Sequence, residues 1–157
     1  MDFKIEIKAP REKVWDVLFG KETYPLWTTA FSEGSTVETD WQKGSKALFL
    51  DGSNRGMVSK IVENVPNEFM SIEHLGMYDN GVEDYESEHV KSWAGAKENY
   101  TLTELDGQTT LLVYMEMDES EENKQMIEMF SKMWPKALEK VKELSENSEE
   151  FIPPVVV

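Results

Sequence analysis

Hydrophobic and polar residues alternate with a period of two through most of this chain, and helical spacing is confined to regions near its two ends. Phe3, Ile5 and Ile7 alternate with Asp2, Lys4, Glu6 and Lys8, which predicts an opening strand with one buried face. Ala9-Pro10 ends that strand. A helix follows, with Val14, Val17 and Leu18 on its inward face and Trp15 beside it, and Gly20 stops it. A second short helical stretch over 21–28 carries Tyr24, Leu26 and Trp27 and is expected to break at Pro25.

Strand-like runs then occupy 36–39, 46–51, 56–65 and 69–75, joined by Gln42-Lys43-Gly44, Gly52-Ser53-Asn54 and Pro66-Asn67. Connections this short force antiparallel pairing, because parallel neighbours need a crossover of about a dozen residues or more. Two further runs, 99–105 and 109–117, flank Asp106-Gly107, a strong hairpin signal. Alternation places Met70, Ile72 and His74 on one face of the fifth strand. It does the same for Glu98, Tyr100 and Leu102 on the sixth, and for Leu111, Val113, Met115 and Met117 on the seventh.

The chain then changes period. Met126, Met129, Phe130, Met133, Ala137, Val141 and Leu144 recur at helical spacing over 120–146, and Pro135 predicts a kink within that helix. A sheet needs a cover for its apolar face, and this late helix is the one long candidate. The expected class is α+β, a curved antiparallel sheet gripping a long C-terminal helix, a shape that tends to enclose a cavity. One domain is expected over 1–146, with a tail over 147–157 that is acidic and then apolar. Pro153 and Pro154 point to an extended conformation for 151–157.

The segment 76–95 holds Asp79, Glu83, Asp84, Glu86 and Glu88 against a single Lys91, with Tyr78, Tyr85, His89 and Trp93 interleaved. It reads as an acidic, solvated loop pinned by Trp93; the alternative is a functional lid. Charge narrows the partners: 31 acidic against 16 basic residues give a net charge of −15, with no basic stripe. A phosphate backbone and an anionic lipid surface would both be repelled, so neither nucleic acid nor membrane is expected. With no cysteine there are no disulfides, thiolate metal sites or cysteine nucleophiles. No signal peptide and no spanning run are visible, so a cytoplasmic location is expected.

Three constellations carry candidate chemistry. His74 and His89, with Glu83, Asp84, Glu86 and Glu88 near them, match no compact ligand spacing, so no metal site is expected. His74, Glu98 and Tyr100 would meet inside the cavity if both of their strand faces look inward. There they would form an acid–base group or, as buried polar groups generally do, a mutually satisfied structural network, which is the favoured reading. The methionines of the helix and last strand suit either plain core or the lining of an adaptable apolar pocket.

The chain resembles the helix-grip superfamily of START domains, birch-allergen-like proteins and polyketide cyclases. Within it, the chain is most similar to the family related to the C-terminal domain of the activator of the heat-shock protein 90 ATPase. The resemblance rests on the opening strand running into Ala9-Pro10-Arg11-Glu12-Lys13-Val14-Trp15, on Leu26-Trp27, and on Trp41 with Gly44. Val62-Glu63-Asn64-Val65-Pro66, Glu98-Asn99-Tyr100-Thr101-Leu102 and Trp134-Pro135-Lys136-Ala137-Leu138 complete it.

It implies a helix-grip fold of seven antiparallel strands with two short helices and a long C-terminal helix, in the order β-α-α-β6-α. It also implies an apolar cavity; no cofactor is expected. The expected function is non-enzymatic binding of a small hydrophobic ligand, lipid-like or aromatic. Met70, Ile72, His74, Trp93, Tyr100, Leu102, Met115, Met126, Phe130, Met133 and Trp134 are the expected lining. The alternatives are an interaction domain regulating a chaperone ATPase and a cyclase- or aromatase-like enzyme using His74, Glu98 and Tyr100.

Overall fold

Short turns fold the alternating segments back on one another, and every strand pairing that results is antiparallel. A computed structural model describes residues 1–147; the apolar stretch 151–157 lies outside the described residues. The strands are β1 (Asp2–Ile7), β2 (Thr36–Glu38), β3 (Lys46–Leu50), β4 (Arg55–Val65), β5 (Phe69–Asp79), β6 (Val82–Asp84), β7 (Ala96–Leu105) and β8 (Gln108–Met115). Their order across the sheet is β1-β8-β7-β5-β4-β3-β2, with β6 paired only to β5. The helices are α1 (Arg11–Phe19), α2 (Tyr24–Trp27), α3 (Glu88–Lys91) and α4 (Lys124–Glu146). The chain thus has the α+β helix-grip architecture, seven strands forming the continuous sheet and β6 adding a short eighth.

Local chemistry explains where elements start and stop. Asp106 and Gly107 both take positive φ, 52° and 78°, as a tight hairpin turn between twisted strands requires. Pro25 does not break the second helix, contrary to expectation. It sits in the first turn of α2, where its missing N–H is no loss, and a 3₁₀ turn over Thr28–Ala30 continues from there. The long helix begins after a 3₁₀ turn at Glu121–Asn123, later than the expected 120, and runs on through the exposed Pro135.

The acidic segment 76–95 is also more ordered than expected. β5 runs on to Asp79 and turns at Asn80-Gly81, with φ of 47° and 97°. It returns as β6, and α3 follows, capped by the Ser87 side chain accepting from the Val90 amide at 3.3 Å.

Two backbone positions shape the sheet toward its β2 edge. Gly56 lies so close to β3 that an added Cβ would sit 1.8 Å from the Phe49 carbonyl oxygen. Trp41 takes φ 62°, costly for a bulky side chain. It is held there by the Asn64 side-chain amide donating to its carbonyl at 2.8 Å and by its ring lying against Phe19 and Phe49.

The core is asymmetric along the long helix. Ala137, Leu138, Val141 and Leu144 of α4 are buried with Ile7, Val14, Leu18, Ile61, Met70, Ile72, Leu102, Leu111 and Val113. In the first half of the helix, Met126 and Met129 are 38% and 44% exposed. The C-terminal half of α4 therefore seals against the sheet, while its N-terminal half leaves space beneath.

Candidate functional site

That space is an open-mouthed cavity of about 800 Å³, within the range of small-molecule sites. Its walls are Trp27, Phe31 and Tyr24 from the α2 region, Phe49 of β3, Met57 of β4 and Met77 of β5. Met115 of β8 and Met126, Phe130 and Trp134 of α4 close the other side. Trp134 fixes the inner end: its ring meets Phe31 edge-on at 4.9 Å, and its indole N–H points at the Met115 sulfur, 2.7 Å away. Exposed Arg55, His89, Glu116 and Asp118 form the rim.

A buried hydrogen-bonded network stands in this largely apolar wall, to which Thr28 and Ser35 also contribute hydroxyls. His74 and Glu98 are diagonal neighbours across β5 and β7, since Ile72 pairs with Glu98 and His74 with Ala96. His74 Nε2 lies 3.1 Å from Glu98 Oε1, and the Tyr100 hydroxyl donates to Glu98 Oε2. A carboxylate can only accept, so the His74 Nε2 carries the proton. On the other side, the Ser59 hydroxyl meets His74 Nδ1 at 2.7 Å. Ser59 reaches that position because the β4–β5 register shifts between Val58 and Ser59, an irregularity that re-aims the side chain.

The electrostatics follow from this geometry. Burial alone would push the Glu98 carboxyl up, but the His74 hydrogen bond and charge, with the Tyr100 phenol, outweigh it and hold Glu98 below its ordinary value. Burial, and then the Glu98 charge, push Tyr100 well above the ordinary phenol range. The same two causes raise Tyr24, whose hydroxyl has no hydrogen-bond partner among the described residues. The result is a short chain, Ser59–His74–Glu98–Tyr100, with one carboxylate inside an aromatic chamber and a neutral phenol, Tyr24, standing free beside it.

Of the residues expected from sequence, His74, Trp93, Tyr100, Met115, Met126, Phe130 and Trp134 border the cavity, and Glu98 does too. Met70, Ile72 and Leu102 do not; they are 0%, 1% and 2% exposed in the solid core. They share a sheet face with the cavity residues, but that face continues beyond the cavity to where α1 and the second half of α4 close over it. Met133 is half-buried and also lies outside the lining. Trp93 reaches the wall from the segment after α3, together with exposed His89 and Ser92, so the acidic segment supplies part of the mouth.

Sequence reasoning did not single out Tyr24, Ser59, Phe31 or Phe49 as site residues. Tyr24 and Phe31 sit at a helix end and a 3₁₀ turn, where no periodicity marks the inward face, and the bulge at Ser59 breaks the alternation that would have placed it. Among the described residues no cluster of three or more His, Asp or Glu side chains could hold a metal ion, and no helix is long and apolar enough to cross a membrane.

Comparison with known proteins agrees with this architecture. The profile of the family described as Activator of Hsp90 ATPase homolog 1-like protein matches residues 8–146. The solution structure of the Aha1 dimer from Colwellia psychrerythraea superposes with a TM-score of 0.64 at 18% identity, covering 93% of this chain and 95% of that one. ChR145 from Cytophaga hutchinsonii gives 0.64 at 20% identity, covering 96% and 97%. DynU16, from the dynemicin biosynthetic locus, gives 0.67 at 13% identity; 94% of this chain is covered, but it spans only 47% of that protein. At these identities the structural matches establish the fold. Curated protein sequences give no match.

Proposed function

This chain belongs to the Activator of Hsp90 ATPase homolog 1-like family, and from that premise we propose that it binds a small hydrophobic molecule, without transforming it, in the cavity under α4. The observation that carries this reading is the cavity itself: about 800 Å³ of space walled by aromatic rings and methionines in a domain whose other half is close-packed. Interiors are normally filled to crystal density, so an apolar space of this size is costly to maintain unless something occupies it. Methionine suits such a lining because its unbranched side chain adapts to the shape it meets.

The buried polar group supports recognition over catalysis. A general acid or base works best with a pKa near the operating pH. Glu98 is held below its ordinary value and Tyr100 above, so each keeps one protonation state through neutrality. Their hydrogen bonds are made to each other and to His74. Native mass spectrometry of protein purified without delipidation tests the proposal. A stoichiometric apolar adduct released on unfolding is expected; a bare polypeptide that also fails to take up any apolar probe would refute it.

A second reading, a regulatory contact with a chaperone ATPase, draws on the family match. It is tested by titrating the domain into that chaperone and following ATP turnover. Saturable binding with altered turnover would support it, and unchanged turnover at high concentration would remove it.

A further inference from the structure

Resting on the ligand-binding reading above, we propose that the cavity selects an uncharged aromatic molecule bearing a hydroxyl group, which accepts a hydrogen bond from Tyr24 and donates one to Glu98. The cavity contains one phenol that is spoken for and one that is not. Tyr100 donates to Glu98 Oε2, whereas the Tyr24 hydroxyl has no partner among the described residues. The Tyr24 ring is held edge-on against Trp27 at 5.4 Å, so its hydroxyl is presented on a rigid support. Tyr24 is half-buried and lines the cavity, so its unpaired hydroxyl is open to a ligand acceptor.

Glu98 supplies the complementary half. A carboxylate offers about four acceptor positions, and here Oε1 and Oε2 each receive one protein donor, His74 and Tyr100. A ligand O–H fits these two lining groups because it can accept and donate at once. A ketone could use only Tyr24, and an ether likewise.

Charge excludes the other classes. Asp51, Glu98, Glu116 and Asp118 all line the cavity. The one lining guanidinium, Arg55, is already engaged by Asp79 at 3.2 and 3.3 Å. A carboxylate ligand would meet repulsion and lose its own hydration. An ammonium has no acceptor to offer the Tyr24 hydroxyl, and burying its charge costs hydration that a neutral hydroxyl does not give up.

Fluorescence titration at neutral pH with pyrene, 1-hydroxypyrene, 1-methoxypyrene, pyrene-1-carboxylate and 1-pyrenemethylammonium tests the choice. We expect 1-hydroxypyrene to bind about five- to tenfold more tightly than pyrene, the ratio that one or two net hydrogen bonds give. The methoxy compound should fall between them and the carboxylate should bind weakest. In Tyr24→Phe the preference for 1-hydroxypyrene over pyrene should fall to the part that the Glu98 contact supplies, and the methoxy compound should lose its advantage over pyrene. Should that variant fold poorly, the hydroxy-to-methoxy ratio in the unaltered protein still reports the Glu98 contact. Equal affinity for pyrene, hydroxypyrene and methoxypyrene, an undiminished preference in Tyr24→Phe, or tightest binding of the ammonium or carboxylate would overturn this inference while leaving the cavity reading intact. Failure of every probe to bind would overturn both.

Discussion

His74 and Glu98, diagonal neighbours on adjacent strands, meet at 3.1 Å inside a largely apolar wall. Breaking a buried pair by removing one partner strands the other, so Glu98→Ala is expected to cost about 3–5 kcal/mol of stability at neutral pH. Chemical denaturation of the two proteins measures it. A cost below about 1 kcal/mol, the range of exposed ion pairs, would mean that the pair is solvated.

The same pair sets part of the acid limb of stability. Because the folded-state pKa of Glu98 is depressed, its contribution is fully present above its ordinary value of 4.5 and is lost as pH falls through the lower folded value. Stability of the unaltered protein should therefore drop below pH 4.5, and that of Glu98→Gln should drop less. Several exposed carboxylates are also depressed, so the difference between the two proteins is the quantity to measure. Identical acid limbs would contradict the assignment.

At alkaline pH the sign reverses. Tyr24 and Tyr100 have raised folded-state values, so their contribution is fully present below the ordinary 10.0 and is lost as pH rises beyond it. Tyrosinate absorbance should show two of the five tyrosines silent until the domain unfolds, and Tyr85, hydrogen-bonded to Glu83, delayed to about 12. Five tyrosines titrating together near 10 would mean the cavity floor is open to water.

Ile72 tests the boundary between solid core and cavity. It is 1% exposed and outside the lining. Ile72→Ala should cost about 2–5 kcal/mol while leaving the affinity for an apolar probe unchanged. Lost affinity at preserved stability would place Ile72 in the binding wall after all.

Much of this organisation was legible in the residues, and the illegible parts have physical causes. Alternation put His74, Glu98 and Tyr100 on inward faces, and Asp106-Gly107 marked its hairpin. Asn80-Gly81 carries the same kind of turn signal, yet β6 was missed because the acidic residues around it read as solvated loop. Alternation could not distinguish Met70 from His74. Both point inward from β5, and only the line along which α4 leaves the sheet separates packed core from cavity. Ser59 was hidden by the register shift before it, and Tyr24 by an element too short to have a periodicity.

Gly56 tests the sheet that backs the cavity. An added Cβ would meet the Phe49 carbonyl at 1.8 Å, and backbone cannot yield as a side chain can. Gly56→Ala should destabilise the domain by about 1–3 kcal/mol or more and weaken probe binding together with it, because Phe49 and Gly56 both border the cavity. An unchanged melting temperature would show that β3 and β4 approach less closely.

The most direct test of the central claim is a calorimetric titration of pyrene into the unaltered protein and into Ala96→Trp. Ala96 borders the cavity directly across from His74. If the space is a binding site, the unaltered protein should bind pyrene one-to-one with a negative heat-capacity change. Ala96→Trp should lose that binding while keeping its melting temperature, since the new ring fills vacant volume. No saturable binding to the unaltered protein, or a variant that loses about 1–3 kcal/mol of stability as an overpacked core does, would contradict the claim and move the function to the surface of the domain.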